Sequence, residues 1–193
     1  MAGGMPTCAA GIPERELPMD RDELIAAIKD AAYLEGDFVL RSGRRSHYYL
    51  DKYLFETQPT ILAELGRLFA RRVTDQIDRI AGAELGGVPL ATATAMACGK
   101  PFVIVRNAKK DYGTAKAFEG QLEPGDHVLL VEDVVTTAGQ IIEAAKVLQD
   151  AGATVERIVA VIDRQEGARE NVEAAGLTFE ALFTVSDLGV KTS

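Results

Sequence analysis

Two adjacent carboxylates, Glu132 and Asp133, close the apolar run 127–131, and Thr136, Thr137, Ala138 and Gly139 follow within a few positions. Acids at the end of a buried strand can accept hydrogen bonds from the vicinal hydroxyls of a ribose or hold a divalent ion. Four small residues opening a helix offer backbone N–H groups and two hydroxyls to a phosphate, and the helix N-terminus adds positive potential. Neighbouring strand residues point to opposite faces, so the two acids are expected to have different tasks. A phosphate cradle one loop away from a hydroxyl-binding acid suits a sugar phosphate. An ordinary strand-to-helix turn with capping residues accounts for Thr137 alone, but not for paired acids followed by four small residues. The segment is neither a Walker loop nor a dinucleotide fingerprint, because both glycine patterns are absent.

A second cue is the placement of cations. The 193-residue chain has 21 basic and 29 acidic residues, a net charge of −8, which argues against general nucleic-acid binding. Yet Arg41, Arg44 and Arg45 lie together, as do Arg106, Lys109, Lys110 and Lys116, so seven of the 21 fall in two short segments. Each cluster alone reads as solvated loop charge; together they suggest a site for a small polyanion. The two histidines, His47 and His127, form no metal-binding pattern, and Cys8 and Cys98 are too far apart for a zinc or disulfide framework. His47 reads as a surface residue, His127 as structural, and Cys98 as a small buried residue.

Helices and strands must position these groups. The spacing of Leu24, Ile25, Ile28, Ala31 and Ala32 predicts a helix over 21–34, with Asp20 and Glu23 as a capping box. Strand-like runs 38–40 and 47–50 flank a Ser-Gly turn, which reads as a hairpin. A second helix is expected over 59–74. From residue 79 the pattern becomes strand and helix in alternation: strands at 79–83, 101–106, 127–131, 158–162 and 179–185, and helices at 88–97, 138–150 and 168–175, with Gly152 as a stop. Continuous apolar strands separated by helices indicate a parallel sheet covered on both faces, with ligands at the carboxyl ends of its strands. The length suits one domain. Residues 1–18 are expected to be a flexible tail rather than a secretory signal, and no window is apolar enough to span a membrane, so a cytoplasmic protein is expected.

The segment VLLVEDVVTTAG resembles the phosphoribosyl pyrophosphate (PRPP) signature of the type I phosphoribosyltransferases. Three more segments resemble the orotate-using branch of that family: GDFVLRSGRRSHYYLD at 36–51, GAELGGVPLATATA at 82–95 and VIDRQEGARENVEAAGLTFEALFTVSDL at 161–188. The likeness covers roughly residues 20–190 in the family's order. It implies the type I phosphoribosyltransferase fold, α/β, a mainly parallel twisted sheet flanked by helices. That single domain, 19–193, would have a small N-terminal hood (about 20–55) and a core (about 56–190).

The resemblance also implies roles. The loop Val134, Val135, Thr136, Thr137, Ala138, Gly139 and Gln140 would hold the 5-phosphate, and Glu132 and Asp133 the ribose hydroxyls. Leu85 and Gly86 belong to a pyrophosphate loop, and residues 105–120 to a mobile catalytic loop whose Arg106, Asn107, Lys109, Lys110 and Tyr112 approach PRPP. Arg106, Lys109, Lys110 and Asp133 are the expected catalytic residues. Arg164 would pair with the orotate carboxylate, with Tyr48, Tyr49, Arg41 and Thr136 around the base; Arg41 would also touch pyrophosphate. Asp163 is read as an anchor for Arg164.

Magnesium is the implied cofactor, held mainly by PRPP with Asp133 a candidate protein ligand. The implied partners are PRPP and orotate, and a second copy of the chain with the catalytic loop shared across a homodimer; neither nucleic acid nor membrane is expected. The activity implied is pentosyl transfer from PRPP to orotate, giving orotidine 5'-phosphate and pyrophosphate in pyrimidine biosynthesis. Asn107 stands where relatives usually carry lysine, Tyr112 where histidine is frequent, and Leu85 and Gly86 where some bacterial relatives have tyrosine and lysine. A purine-base transferase and a non-catalytic PRPP sensor are the competing readings. The Asp-Arg-Gln segment disfavours the first, because a carboxylated base explains a base-site arginine. The cations of the catalytic loop disfavour the second.

Overall fold

The computed structural model describes residues 19–39, 43, 45–107 and 117–190. Arg41, Lys109, Lys110 and Tyr112, and the expected tail 1–18, lie outside the described residues.

Helix α1 (Arg21–Ala32) begins at the expected capping box, in which Asp20 accepts from Asp22 N and Glu23 N and Glu23 reaches back to Asp20 N. It ends two residues early because Tyr33 is already extended and enters β1 (Tyr33–Val39). That strand pairs antiparallel with β2 (Arg45–Leu50), so the expected hairpin is present with longer strands. A five-residue helix not anticipated from the sequence, α2 (Lys52–Glu56), follows directly, with Asp51 accepting from Tyr53 N at 3.2 Å as its N-cap. Next comes α3 (Pro59–Ala70), shorter than expected; just beyond its end Arg72 donates to Leu68 O at 2.8 Å and so occupies a terminal carbonyl.

The remainder alternates as expected, apart from a two-residue β5 that the sequence did not announce: β3 (Arg79–Ala83), α4 (Gly87–Cys98), β4 (Phe102–Val105), β5 (Phe118–Glu119), β6 (His127–Val135), α5 (Gly139–Asp150), β7 (Thr154–Asp163), α6 (Ala168–Ala174) and β8 (Phe179–Thr184). The strands form one sheet in the order β5-β4-β3-β6-β7-β8, parallel except for the β4–β5 pair. Residues of α1, α3 and α4 pack on one face through Leu24, Ile28, Leu65, Phe69 and Leu90. Residues of α5 and α6 pack on the other through Ile141, Ala145, Leu148 and Val172.

Helix α4 is rich in small residues because it lies close to two neighbours. A methyl on Gly82 would stand 2.1 Å from Gly87 O, and one on Gly66 would stand 2.8 Å from the Ala93 backbone. The chain runs outward from β3 to β4 and β5, then returns to place β6 on the other side of β3. The gap between the carboxyl ends of β3 and β6 is therefore the switch point at which open parallel sheets bind ligands. Among the described residues, no helix is long and apolar enough to cross a membrane.

Candidate active site

The paired acids sit at that switch point. β6 continues four residues beyond the expected end, because β7 keeps pairing with it up to Val135 and Asp163. Glu132 and Asp133 thus lie within the strand. Asp133 is fully buried, and its backbone neighbour Val134 N donates to its Oδ1. Its Oδ2 lies 2.7 Å from Lys52 Nζ on α2, a close ion pair. Glu56, one turn further along α2, is buried at the same spot with Oε1 unpaired.

Gly86, at the start of α4, closes the cluster, because a methyl there would meet Asp133 Oδ2 at 1.6 Å and Glu56 Oε1 at 2.8 Å. A glycine is needed there by the acid, whatever else the loop does. Lys52 and Glu56 were not found from the sequence; their only signal was an i, i+4 spacing in a segment too short to read as a helix.

Three carboxylates crowded around one ammonium cannot all ionise easily. Burial, and then the charge of Asp133, push Glu56 up to about 9. The same two causes push Glu132 well above the usual carboxylate range. Lys52 is raised despite its burial, because Asp133 and Glu132 outweigh the desolvation. The two adjacent acids differ as expected: Asp133 turns inward to Lys52 and Gly86, while Glu132 lines a cavity of about 420 Å³.

That cavity is walled by Lys52 and by residues 132–141. Ala138 adopts a left-handed conformation (φ 62°) that turns the chain sharply into α5. No side chain caps α5, so its first backbone N–H groups are left for a ligand. The Thr137 carbonyl accepts from Asn171 Nδ2 at 2.9 Å, which fixes the loop to α6. Thr136, Thr137, Ala138, Gly139 and Gln140 are therefore brought together as the sequence implied, and no atom lies near enough to Gly139 to crowd a methyl there.

A second cavity of about 670 Å³ shares Gly139 and Gln140 with the first and extends along Arg106 and Asn107. Arg106 lies 3.4 Å from Glu119 and 3.8 Å from Glu84, and Asn107 N donates to Glu84 Oε2 at 3.3 Å. The segment 84–86 thus stands beside the start of the expected catalytic loop. Leu85 is exposed, whereas Gly86 lies directly against Asp133.

Arg164 follows β7 directly, its N–H donating to Val135 O at 2.9 Å, which puts it beside Thr136. Its Nη2 lies 3.3 Å from the Tyr48 hydroxyl and 3.1 Å from Glu166 Oε1, and its guanidinium stacks over the Tyr48 ring at 5.8 Å. Its Nε is buried and unpaired among the described residues. Asp163 does not anchor this arginine, as the sequence had suggested; it accepts from Gln165 N at 2.7 Å and so holds the turn. Tyr48 and Tyr49 separate as alternation requires. Tyr48 joins Arg164, whereas the Tyr49 ring lies against Phe38 and is exposed. His127 pairs with Glu156 at the opposite end of the sheet and has a structural place.

Residues 55–182 match the phosphoribosyl transferase domain family. The orotate phosphoribosyltransferase of Natronomonas pharaonis is 46% identical over 171 residues, covering 88% of this chain and 98% of that one. Among solved structures, orotate phosphoribosyltransferase of Mycobacterium tuberculosis H37Rv in complex with Fe(III) dicitrate matches with a TM-score of 0.80 at 33% identity, covering 88% of this chain and 99% of the other. The same enzyme in complex with PRPP matches at 0.76 and 32% identity over equal shares. Sheet order, signature loop and these likenesses agree: the chain belongs to the phosphoribosyltransferase family, among its orotate phosphoribosyltransferases.

Proposed function

We propose that this chain transfers the phosphoribosyl group of PRPP to orotate in the cytoplasm, releasing pyrophosphate and forming orotidine 5'-phosphate for pyrimidine synthesis. The observation that carries the choice of base is Arg164. A half-buried arginine whose buried Nε has no partner among the described residues, set against Tyr48 beside the phosphate loop, is suited to a planar carboxylate on the incoming ring.

The 5-phosphate docks on residues 136–140 at the uncapped start of α5, and the ribose lies towards Glu132 and Asp133. The pyrimidine nitrogen attacks the anomeric carbon while the bond to pyrophosphate breaks, so positive charge builds on the sugar and negative charge on the leaving group. No side-chain nucleophile is needed, and the protein's work is positioning and electrostatic stabilisation. By the family resemblance, Arg106, Lys109 and Lys110 stabilise the leaving pyrophosphate, and closure of residues 105–120 keeps water from the activated sugar. The described ends of that segment are brought together by Arg106 N, which donates to Ala117 O at 2.9 Å.

The donor set suits a magnesium ion that arrives on PRPP. Among the described residues no group of three or more His, Cys, Asp or Glu is arranged to hold a metal, while Glu132 and Asp133 both line the cavity. When bound, such an ion takes up the charge developing on pyrophosphate. We extend the proposal to a homodimer in which residues 105–120 of one copy serve the site of the other, within a domain spanning 19–193.

The test is loss of orotate absorbance with PRPP and magnesium, run beside adenine, hypoxanthine and uracil. Turnover of orotate alone is expected. Turnover of another base instead would make the chain a sister transferase, and PRPP binding without any turnover would make it a sensor.

A further inference from the structure

Lys52 is the only lysine or arginine among the described residues lining the signature cavity. It is the first residue of α2, and that helix is anchored where it leaves the open end of the hairpin. Asp51 caps it through Tyr53 N, and Asp51 N donates to Ala32 O at 2.9 Å. The Lys52 stem runs beside the Tyr53 ring, with Nζ 5.3 Å from its centroid. Its ammonium ends 2.7 Å from Asp133 Oδ2.

The two partners of this ion pair are unequally exposed. The Asp133 side chain is 1% exposed and that of Lys52 is 33% exposed. A molecule entering the cavity therefore meets the ammonium more readily than Asp133. An ammonium has three N–H donors, and Asp133 can occupy one of them at most. The remaining donors are left to a cavity whose other charged lining residues are both acids, Glu132 and Asp133. Without a cation there, a polyanion would face a wall of acids inside a chain of net charge −8.

We infer that Lys52 is a PRPP-recognition residue, whose ammonium, placed by Asp133, contacts the ribose–diphosphate part of PRPP. The inference rests on the phosphoribosyl-transfer reading above and adds to it a residue from α2, outside the signature strand and the catalytic loop. In this arrangement Asp133 also holds the Lys52 ammonium in place, beside its part with Glu132 at the sugar hydroxyls.

Isothermal titration of PRPP with magnesium, on wild type, Lys52→Met and Lys52→Arg, tests it. Losing a charge-assisted contact is expected to weaken PRPP binding about 10- to 100-fold in Lys52→Met. The KM for orotate is expected to stay unchanged, and the dependence of PRPP affinity on salt to become shallower. Lys52→Arg keeps the charge but cannot repeat a single-point 2.7 Å contact with a planar fork, so an intermediate loss is expected.

A folded Lys52→Met with wild-type PRPP affinity overturns the inference, because Lys52 would then only balance the charge of Asp133. Should that variant not fold, Lys52→Arg with wild-type affinity and salt dependence overturns it equally. If wild type itself binds no PRPP, the phosphoribosyl-transfer reading falls first, and this inference with it.

Discussion

Replacing Gly86 by alanine should damage PRPP binding by displacing Asp133. Gly86 has φ −68°, a conformation alanine adopts freely, so the general expectation is a gain of about 0.4–1 kcal/mol from reduced freedom of the unfolded chain. Sterics reverse it. The new methyl would lie 1.6 Å from Asp133 Oδ2 and 2.7 Å from its Cγ, where carbon–oxygen contacts below 3.0 Å are not tolerated. The carboxylate must therefore retreat by about 1.4 Å, the difference between those distances. The backbone offers little relief, since Gly82 and Gly87 already hold α4 hard against β3.

Such a retreat breaks the 2.7 Å contact with Lys52. Separating a fully buried ion pair costs about 3–5 kcal/mol. With Lys52 one-third exposed, solvent screening reduces this to about 2–3 kcal/mol, which still exceeds the general gain. Differential scanning fluorimetry should show a fall of about 4–10 °C for a domain of this size. Titration with PRPP should show affinity reduced about tenfold or more. An alanine variant that melts at or above the wild-type temperature and binds PRPP normally would refute the reasoning, since Asp133 would then have room that the geometry denies it.

Three further outcomes are expected. Glu56→Gln should flatten the pH dependence of stability. Glu56 is raised to about 9 in the folded chain, so between its ordinary value near 4.5 and 9 the unfolded chain ionises while the folded one stays neutral, and stability is lost as pH rises through that window. Unfolding free energies measured from pH 5 to 9 should therefore converge at the acidic end and favour the glutamine variant at the alkaline end; parallel profiles would count against the burial of a neutral Glu56. Arg164→Met should raise the KM for orotate about 10- to 100-fold while PRPP affinity holds, and Arg164→Lys should recover little, for want of a planar fork; equal losses for both substrates would move Arg164 out of the base site. Chelating magnesium should abolish turnover yet leave the melting temperature unchanged, as expected where no described group of protein ligands holds a metal; a drop in melting temperature would reveal a structural ion.

The elements that were easiest to read in the sequence are those with an unbroken apolar face against the core. β3 appeared with its bounds, and α5 within a residue, because their apolar residues face a packed sheet without interruption. β6 was cut short at Val131 because two acids look like the end of a buried strand. The ladder continues under them because β7 supplies the backbone partners and α2 supplies the counter-charge, neither of which is local information. The start of β7 was lost for a related reason, since Thr154, Glu156 and Arg157 interrupt the apolar run on a strand end that is only half covered.

The candidate site divides along the same line. The phosphate loop and its acids are contiguous, so their chemistry can be recognised from residue types alone. Lys52 and Glu56 meet Asp133 across 81 and 77 positions of chain, and nothing in a five-residue helix announces which acid it will face. Gly86 looked like one small residue in a loop, and its necessity appears only when a carboxylate is found where its side chain would be. Contacts of this kind are set by topology: the return of β6 beside β3 brings the Gly86 turn under Asp133, and the hairpin then delivers α2 onto both. A sequence shows which groups a site contains wherever they are neighbours in the chain; the charge balance that makes those groups usable is built by the fold from residues that are not.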